Sequence, residues 1–210
     1  MHVETKKPEQ LSRIQRANRT RIREAALEAF STNGFRGTTL DQISGLANLS
    51  KSNLIYYYSS KEDIYLDLFA ELLEQWLEPL ITLGKEGDPI EEILSYVQAK
   101  LALSRDKPRE SRLFANEILR GCPRISGFIK KDLKAVVVEV EEKFQHWMDA
   151  GKIAETNPRH LLYSIWAVTQ HYADFESQIT LLEPKKNHTF AEAEIYVDQL
   201  FRGILTPRNN

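Results

Sequence analysis

The sequence contains a single cysteine, Cys122, among 210 residues, and it has no apolar run of the roughly 18 residues that a transmembrane helix needs. One cysteine cannot form an internal disulfide, and it excludes a metal site built from several cysteine ligands. The polar N-terminus lacks the apolar core of a signal peptide. We therefore expect a protein of the reducing cytoplasm that has no membrane partner.

Recognisable catalytic chemistry is also missing. The sequence has no nucleophile motif, phosphate-binding loop or metal-ligand spacing, so it predicts no catalytic residue, no metal and no cofactor. His171 and Asp174 lie three residues apart on a predicted helix, which leaves a base with its orienting carboxylate as an alternative. A histidine near an aspartate on a helix is more often a structural pair, so an all-helical enzyme is the weaker hypothesis.

No stretch has the pattern of a strand. Apolar residues recur at helical spacing through most of the chain, which predicts an all-α fold. Glycines and prolines separate the periodic stretches, as expected where helices end and begin. The predicted helices lie near residues 16–31, 60–83, 88–104, 108–120, 125–150 and 157–175, and a last one carries Ile195, Tyr196, Leu200, Phe201 and Ile204.

Charge is divided unevenly, although the formal net charge is only −2. Residues 1–61 contain 10 Lys or Arg and 5 Asp or Glu, a net charge of +5, whereas the remaining 149 residues contain 18 and 25, a net charge of −7. Five arginines lie between residues 13 and 23, either as a solvated helix face or, in the interpretation we favour, as phosphate contacts. A basic segment joined to a larger acidic one indicates a polyanion-binding domain attached to a body with another role.

Residues 38–61 have the pattern of two short helices joined by a tight turn. Thr39 is a good N-cap for the first helix, and Ser50 is a good N-cap for the second. Asn48 can adopt the left-handed conformation that the turn requires. Ser60 begins a capping box for the helix that follows. With the helix near residues 16–31, this pattern predicts a three-helix DNA-binding domain containing a helix-turn-helix.

The second short helix would turn Leu54 and Tyr58 toward the core. Its other faces then present hydrogen-bond donors and flat rings, which suit phosphates and base edges. These predicted DNA-binding residues are Lys51, Ser52, Asn53, Tyr56 and Tyr57, and we expect Thr38, Thr39 and Lys61 to contact phosphates. The predicted domains are a disordered N-terminal arm (1–15), the DNA-binding domain (16–61) and a larger helical ligand-binding and dimerisation domain (62–210).

The helix near residues 157–175 is apolar on two faces, so it must be covered on both. A homodimer interface next to the core would do this, and a fully buried central helix in a monomer is the alternative. An all-helical adaptor that binds only protein is a third possibility for the whole chain, and it predicts no salt-dependent affinity for DNA.

The combined motifs I-x-x-A-A-L-E-A-F-S-x-N-G-F-x-G-T-T, A-N-L-S-K-S-N-L-I-Y-Y-Y and S-S-K-E-D resemble the DNA-binding domain of the TetR family of bacterial regulators. The resemblance implies a transcriptional regulator, usually a repressor, that binds a palindromic operator as a homodimer and carries a ligand cavity. Three positions depart from the family's usual residues. Asn48 stands where Gly is common, and Ser59 stands where Pro is often found. Tyr58 stands where Phe is common and needs a partner for its hydroxyl.

Two later motifs, K-L-x-x-S-R-D-x-P with S-R-L-F and I-W-A-x-T-Q-H-Y-A-D-F, are similar to those of family members that sense uracil or thymine. The resemblance implies a small planar pyrimidine as effector, although a regulator of another small-molecule response stays an alternative. Aromatic faces and an amide suit such a ring. The ligand-binding residues that it implies are Leu73, Trp76, Phe114, Asn116, Glu117, Trp166, Thr169 and Gln170, with Glu117 alternatively paired to an arginine.

Overall fold

The computed structural model describes residues 12–84, 87–182 and 189–207. These residues form α-helices and contain no β-strand, which confirms the predicted all-α fold. The helices are α1 (Arg13–Gly37), α2 (Leu40–Leu46), α3 (Lys51–Tyr57), α4 (Lys61–Ile81), α5 (Pro89–Asp106), α6 (Pro108–Leu119), α7 (Ser126–Phe128), α8 (Lys134–Asp149), α9 (Pro158–Asp174), α10 (Glu176–Leu182) and α11 (Thr189–Leu205). Residues 1–11 of the predicted arm and the expected loop at 184–188 lie outside the described residues.

The chain divides into two compact units, Met1–Leu68 and Phe69–Asn210. The boundary predicted from the sequence is at residue 61, seven residues earlier, because the predicted helix near residues 60–83 begins there. In the structure the first turns of α4 belong to the first unit, since the Tyr65 ring packs 4.9 Å from Phe30 and 5.0 Å from Phe35. The division therefore falls inside α4.

Local capping in the first unit follows the sequence closely. Thr39 and Gln42 form a capping box at the start of α2, and the hydroxyls of Ser50 and Ser60 accept from the amides of Asn53 and Asp63. Each bond satisfies an amide that has no partner inside its own helix. The predicted starts of α2, α3 and α4 are confirmed.

Helix α1 begins earlier than predicted. Ser12 caps it together with Gln15, so residues 13–15 of the predicted disordered arm are helical. Near its end Gly34 adopts φ 66°, and one further turn continues to Gly37. The helix predicted near residues 16–31 thus ends close to this break, where glycine tolerates the left-handed conformation. In the turn after α2, Asn48 has φ 51°, so asparagine takes the left-handed role expected of it.

The second unit is built around α5, which packs against α6, α9 and α11. Its core is a continuous apolar cluster that includes Ile93, Val97, Phe144, Ile165 and Phe201, each fully buried. Pro89 and Pro158 occupy first-turn positions of α5 and α9, with Asp88 and Asn157 as their caps, so both helices begin within one residue of their predicted starts. No helix in the described ranges is long and apolar enough to cross a membrane.

The predicted helix at residues 125–150 contains an irregular turn. Helix α7 continues through a π-helical turn at Ile129–Leu133 directly into α8. A π-helical turn accommodates an additional residue within a helical segment. Phe128, Ile129, Lys130 and Leu133, in or next to this turn, line the cavity described below.

Candidate DNA-binding surface and ligand cavity

Helix α3 presents the side chains that the sequence assigned to DNA. Lys51, Ser52 and Asn53 are exposed at its start, whereas Leu54 is fully buried and anchors the opposite face. The Lys51 ammonium lies 2.8 Å from the Asp41 carboxylate, and both groups are solvent-exposed. An exposed pair of this kind contributes little stability and exchanges readily for another anion.

Two tyrosines at the end of α3 are held by α1. The Tyr56 hydroxyl accepts a 3.2 Å hydrogen bond from Gln15, and the Tyr57 hydroxyl accepts one of 3.2 Å from Asn18. Their rings meet edge to face with centroids 5.1 Å apart. The Tyr56 side chain remains 70% exposed, so its ring is available to a partner while its orientation is restricted.

Among the three predicted phosphate contacts, Thr38 requires a correction. Its side chain is fully buried, and its hydroxyl donates to the carbonyl oxygens of Ala29 at 3.0 Å and Gly34 at 2.9 Å. The hydroxyl therefore serves the end of α1, where the break at Gly34 interrupts the helical pattern. Thr39 is exposed at the N-cap of α2, where amides can also meet an anion.

The Lys61 side chain forms hydrogen bonds within the first unit. Its ammonium donates to the carbonyl oxygens of Phe35 at 2.7 Å and Thr38 at 2.6 Å, and it lies 4.4 Å from the centre of the Phe35 ring. These contacts join the start of α4 to the connection between α1 and α2. Its predicted phosphate contact stays a prediction.

Three of the five arginines at residues 13–23 are engaged inside the first unit, contrary to a uniform phosphate-contacting role. Arg21 donates to the carbonyl oxygens of Ala47 at 2.6 Å and Asn48 at 3.2 Å, which fastens α1 to the turn of the helix-turn-helix. Arg19 and Arg23 bind the Asp67 carboxylate at 2.7 Å and 2.6 Å. Arg13 and Arg16, earlier on α1, are exposed.

Tyr58, one of the residues that depart from the family pattern, completes this network. Its hydroxyl donates to Asp67 at 2.6 Å and accepts from the Arg19 side chain at 3.1 Å. Burial raises the pKa of Tyr58 to about 12, and the adjacent carboxylate acts in the same direction. The phenol therefore stays neutral, and the partner that the sequence required for it is Asp67.

In the second unit, walls from α4, α5, α6, α9 and the α7–α8 segment enclose a cavity of about 610 Å³. Five of the eight residues that the resemblance implied line it: Leu73, Trp76, Phe114, Trp166 and Gln170. The Trp76 and Phe114 rings meet edge to face, with centroids 5.0 Å apart. Three helices thus bring aromatic faces and one amide to the same space.

The other three residues implied for the ligand lie elsewhere. Thr169 is fully buried and donates to the Ile165 carbonyl oxygen at 2.8 Å. Glu117 is also buried, and it accepts from the backbone N–H of Arg124 at 2.7 Å. The Arg124 guanidinium lies 3.9 Å from the same carboxylate, which agrees with the alternative of an arginine partner. Asn116 lines a smaller neighbouring pocket of about 330 Å³. All three share a helix with residues of the cavity wall but are not themselves part of that wall.

Lys100 and Tyr96 on α5 are cavity residues that the sequence did not reveal. The Tyr96 hydroxyl accepts a 2.7 Å hydrogen bond from the Trp166 indole, which fixes the orientation of that ring. Lys100 is 4% exposed, and its ammonium lies 4.2 Å from the centre of the Trp76 ring. Burial lowers the pKa of Lys100 to about 8, an effect that the negative charge of Asp174 partly opposes.

Exposed basic side chains also belong to the cavity wall. Lys130, Lys134 and Arg159 belong to its wall, and Arg159 forms an ion pair with Glu141 at 2.5 and 2.8 Å. Both lysines are exposed, so solvent screens their charge more strongly than that of the buried Lys100. Among the described residues that line the cavity, none is Asp or Glu.

The arrangement required for a catalytic pair is not present at His171 and Asp174. The His171 ring stacks on Phe175 at 4.8 Å, and the Asp174 carboxylate accepts from the Ser111 hydroxyl at 2.7 Å. No group of His, Cys, Asp and Glu that could hold a metal ion occurs within the described residues.

Comparison with known protein families divides the chain at the same place as the structure. Residues 22–68 match the model of bacterial regulatory proteins of the tetR family, and residues 69–208 match that of the YcdC-like protein C-terminal region. The two matches meet where the two compact units meet. Together they cover most of the chain.

Individual proteins agree with these matches. The chain is 44% identical over 168 residues to the HTH-type transcriptional regulator RutR of Escherichia coli K12, covering 80% of this chain and 79% of that protein. It is 25% identical to the biofilm operon negative regulator IcaR of Staphylococcus epidermidis, covering 80% and 90%. The crystal structure of AibR with isovaleryl coenzyme A and operator DNA has the same fold, with a TM-score of 0.73 at 18% identity over 91% and 100% of the two chains. The chain belongs to the TetR family of transcriptional regulators.

Proposed function

We propose that this TetR-family regulator is a pyrimidine-responsive repressor that binds a palindromic operator as a homodimer and releases it when uracil or thymine enters the cavity. The observation that carries the proposal is the convergence of Trp76, Phe114, Trp166 and Gln170 on one cavity of the second unit. This set matches the chemistry of a planar imide, whose faces suit aromatic rings and whose edge alternates donors and acceptors.

The volume of the cavity supports a small-molecule site. At about 610 Å³ it lies within the range of roughly 300 to 1,000 Å³ that is typical of such sites. The Gln170 amide supplies one donor and one acceptor, which can pair with an N–H and a C=O on the same edge of the ring. A regulator that senses a different small molecule would use the same space with other contacts.

The homodimer is proposed from exposed apolar side chains near the end of the chain. Ile195 and Tyr196 on α11 are 61% and 57% exposed, and Leu181 and Leu182 on α10 are 86% and 73% exposed. Helix α9, whose two apolar faces suggested an interface, packs within its own unit against α5, α6 and α8. The support for dimerisation therefore comes chiefly from α10 and α11.

Release of the operator would operate through α4, the element that the two units share. In this mechanism α4 has two positions, one that places α3 of each subunit correctly on the operator and one that does not. The ligand binds more tightly to the second state. A tenfold loss of operator affinity requires a difference of about 1.4 kcal/mol between the affinities of the ligand for the two states. Leu73 and Trp76 on α4 line the cavity, and we propose that their contacts with the ligand supply this difference in affinity.

Uracil is expected to raise the melting temperature of the full-length protein and to lower its affinity for the operator. Gln170→Ala should weaken uracil binding by about 1.5 kcal/mol, roughly tenfold in Kd, because the edge of the ring loses its paired amide. Calorimetry measures the affinity, and Gln145→Ala, at an exposed position outside the cavity, is the matched control. Absence of any response to uracil and thymine would eliminate the pyrimidine assignment and leave the family assignment intact.

Lys51→Ala is expected to weaken operator binding while leaving uracil affinity unchanged, since Lys51 lies at the exposed start of α3. Loss of one phosphate contact should lower the slope of log affinity against log salt by about 1. Fluorescence anisotropy over a salt series measures this slope, and the same titration should give two chains per operator. Lys152→Ala, an exposed lysine of the second unit, is the control. A wild-type affinity that does not depend on salt would instead favour the adaptor that binds only protein.

A further inference from the structure

The polar groups of the cavity wall are mainly cationic or donors. Lys100, Lys130 and Lys134 contribute positive charge, Arg159 is paired with Glu141 outside the wall, and none of the described wall residues is acidic. The Gln170 amide supplies an acceptor, but it cannot neutralise charge. A ligand that complements this wall needs more acceptor than donor capacity.

The indole nitrogen of Trp76 is buried and has no hydrogen-bond partner among the described residues. A second donor, the Lys100 ammonium, belongs to a residue that is only 4% exposed, and the negative charge of Asp174 attracts it. The Lys100 ammonium lies against the Trp76 ring, so both donors are at the same part of the cavity. Leaving a buried donor unsatisfied costs about 1–3 kcal/mol, and more when it is charged.

We propose that the cavity binds an oxopyrimidine in its anionic form, with a negatively charged ring oxygen on the Lys100 ammonium and the ring beside Trp76. This inference rests on the proposed function and specifies its ligand class further. Ionisation of an oxopyrimidine spreads the negative charge over its ring oxygens and leaves aromatic faces available. A charged acceptor on a charged donor makes a stronger hydrogen bond than a neutral carbonyl does.

The exposed lysines contribute less to the preference for an anionic ring over a neutral one. Water and salt screen Lys130 and Lys134, whereas the ammonium of Lys100 is almost fully enclosed. Lys100 and Lys130 therefore form a matched pair, because both are cavity lysines and only one is desolvated. The same substitution at each position separates a direct contact from a general attraction between opposite charges.

The test compares uracil with barbiturate by calorimetry on the full-length protein at pH 7. Both probes are oxopyrimidines with one six-membered ring, but uracil is neutral at this pH and barbiturate is an anion. Barbiturate is expected to bind at least tenfold more tightly than uracil. Lys100→Met should weaken barbiturate roughly 30-fold or more, because the buried charge pair is lost, and weaken uracil far less. Lys130→Met should change either affinity less than about threefold.

Proton linkage gives an independent readout. The titratable or charged groups near this lysine and its neighbouring carboxylate include Tyr96 on α5, Asp174 and His171 on α9 and Arg112 on α6, and Asp174 attracts the ammonium. Because the pKa of Lys100 is about 8, barbiturate affinity should be constant below pH 8 and fall as the pH rises above it. Lys100→Met should remove this dependence, since barbiturate itself remains an anion throughout.

The outcomes separate the inference from the proposed function. Tighter binding of barbiturate that Lys100→Met abolishes supports the inference. If uracil binds but barbiturate binds no more tightly, or if the two methionine variants lose affinity equally, the inference is wrong and the pyrimidine regulator stands. If neither probe binds, both proposals fail.

Discussion

Lys100→Met is expected to be more stable than the wild-type protein when no ligand is present. Burial lowers the pKa of Lys100 from 10.5 to about 8, which corresponds to an unfavourable contribution on the order of 3 kcal/mol at pH 7. Methionine has a similar shape and no charge to desolvate. Loss of the contact between the ammonium and the Trp76 ring offsets about 1 kcal/mol of the gain. The expected increase is therefore roughly 2 kcal/mol, or about 5 °C in melting temperature.

The pH dependence of this difference has a definite sign. Below pH 8 the lysine is charged in both the folded and the unfolded protein, so the wild type bears the full desolvation penalty. Between pH 8 and 10.5 the folded protein releases its proton first, and the difference between wild type and Lys100→Met should shrink. Thermal unfolding at pH 7 and pH 9.5 measures this effect, with Lys130→Met as the control. A methionine variant less stable than the wild type would show that Lys100 stabilises the fold.

Asp67→Ala is the substitution expected to damage the first unit most. The carboxylate binds Arg19 and Arg23 and accepts from the Tyr58 hydroxyl, so its removal leaves two guanidinium groups and a phenol without their common partner. Breaking a fully buried pair costs about 3–5 kcal/mol. Because the Asp67 side chain is 21% exposed, we expect about 2–3 kcal/mol here.

Asp41→Ala provides the comparison for Asp67→Ala. Asp41 also pairs with a basic side chain of the first unit, but the pair is exposed, so its loss should cost less than about 1 kcal/mol. Hydrogen exchange of the α3 amides reports the stability of the first unit within the full chain. Faster exchange in Asp67→Ala than in Asp41→Ala is expected. Equal exchange in the two variants would mean that the Asp67 network does not stabilise this unit.

Local signals in the sequence predicted most of the helix starts. Thr39, Ser50, Asp88 and Asn157 each accept a hydrogen bond from an amide in the first turn of the following helix. Such caps depend on neighbouring residues, so a sequence displays them directly. Helix α10 was missed because it contains only seven residues, too few to show a clear periodic pattern.

The residues of the candidate sites were harder to predict, because the direction in which a side chain points depends on how the helices pack. Thr38 and Thr169 are polar residues next to true surface or cavity positions, yet both hydroxyls turn to carbonyl oxygens inside the fold. Lys100 escaped notice for the opposite reason, since a lysine within an amphipathic helix normally belongs to its solvated face. Lys100 lies four residues after Tyr96, so both side chains are on one face of α5. This spacing could not be interpreted from the sequence, because only the structure shows that this face lines the cavity.

The π-helical turn at Ile129–Leu133 has an evolutionary consequence. Because the turn absorbs one additional residue, loss of one residue there would restore a regular α-helix while the segments on either side keep their directions. The side chains that the turn itself presents to the cavity, Ile129, Lys130 and Leu133, would change, while Val140 and Phe144 on α8 would keep their core positions. A single codon inserted or deleted in this turn is thus a short route by which a lineage of such regulators can acquire a different effector without rebuilding its core.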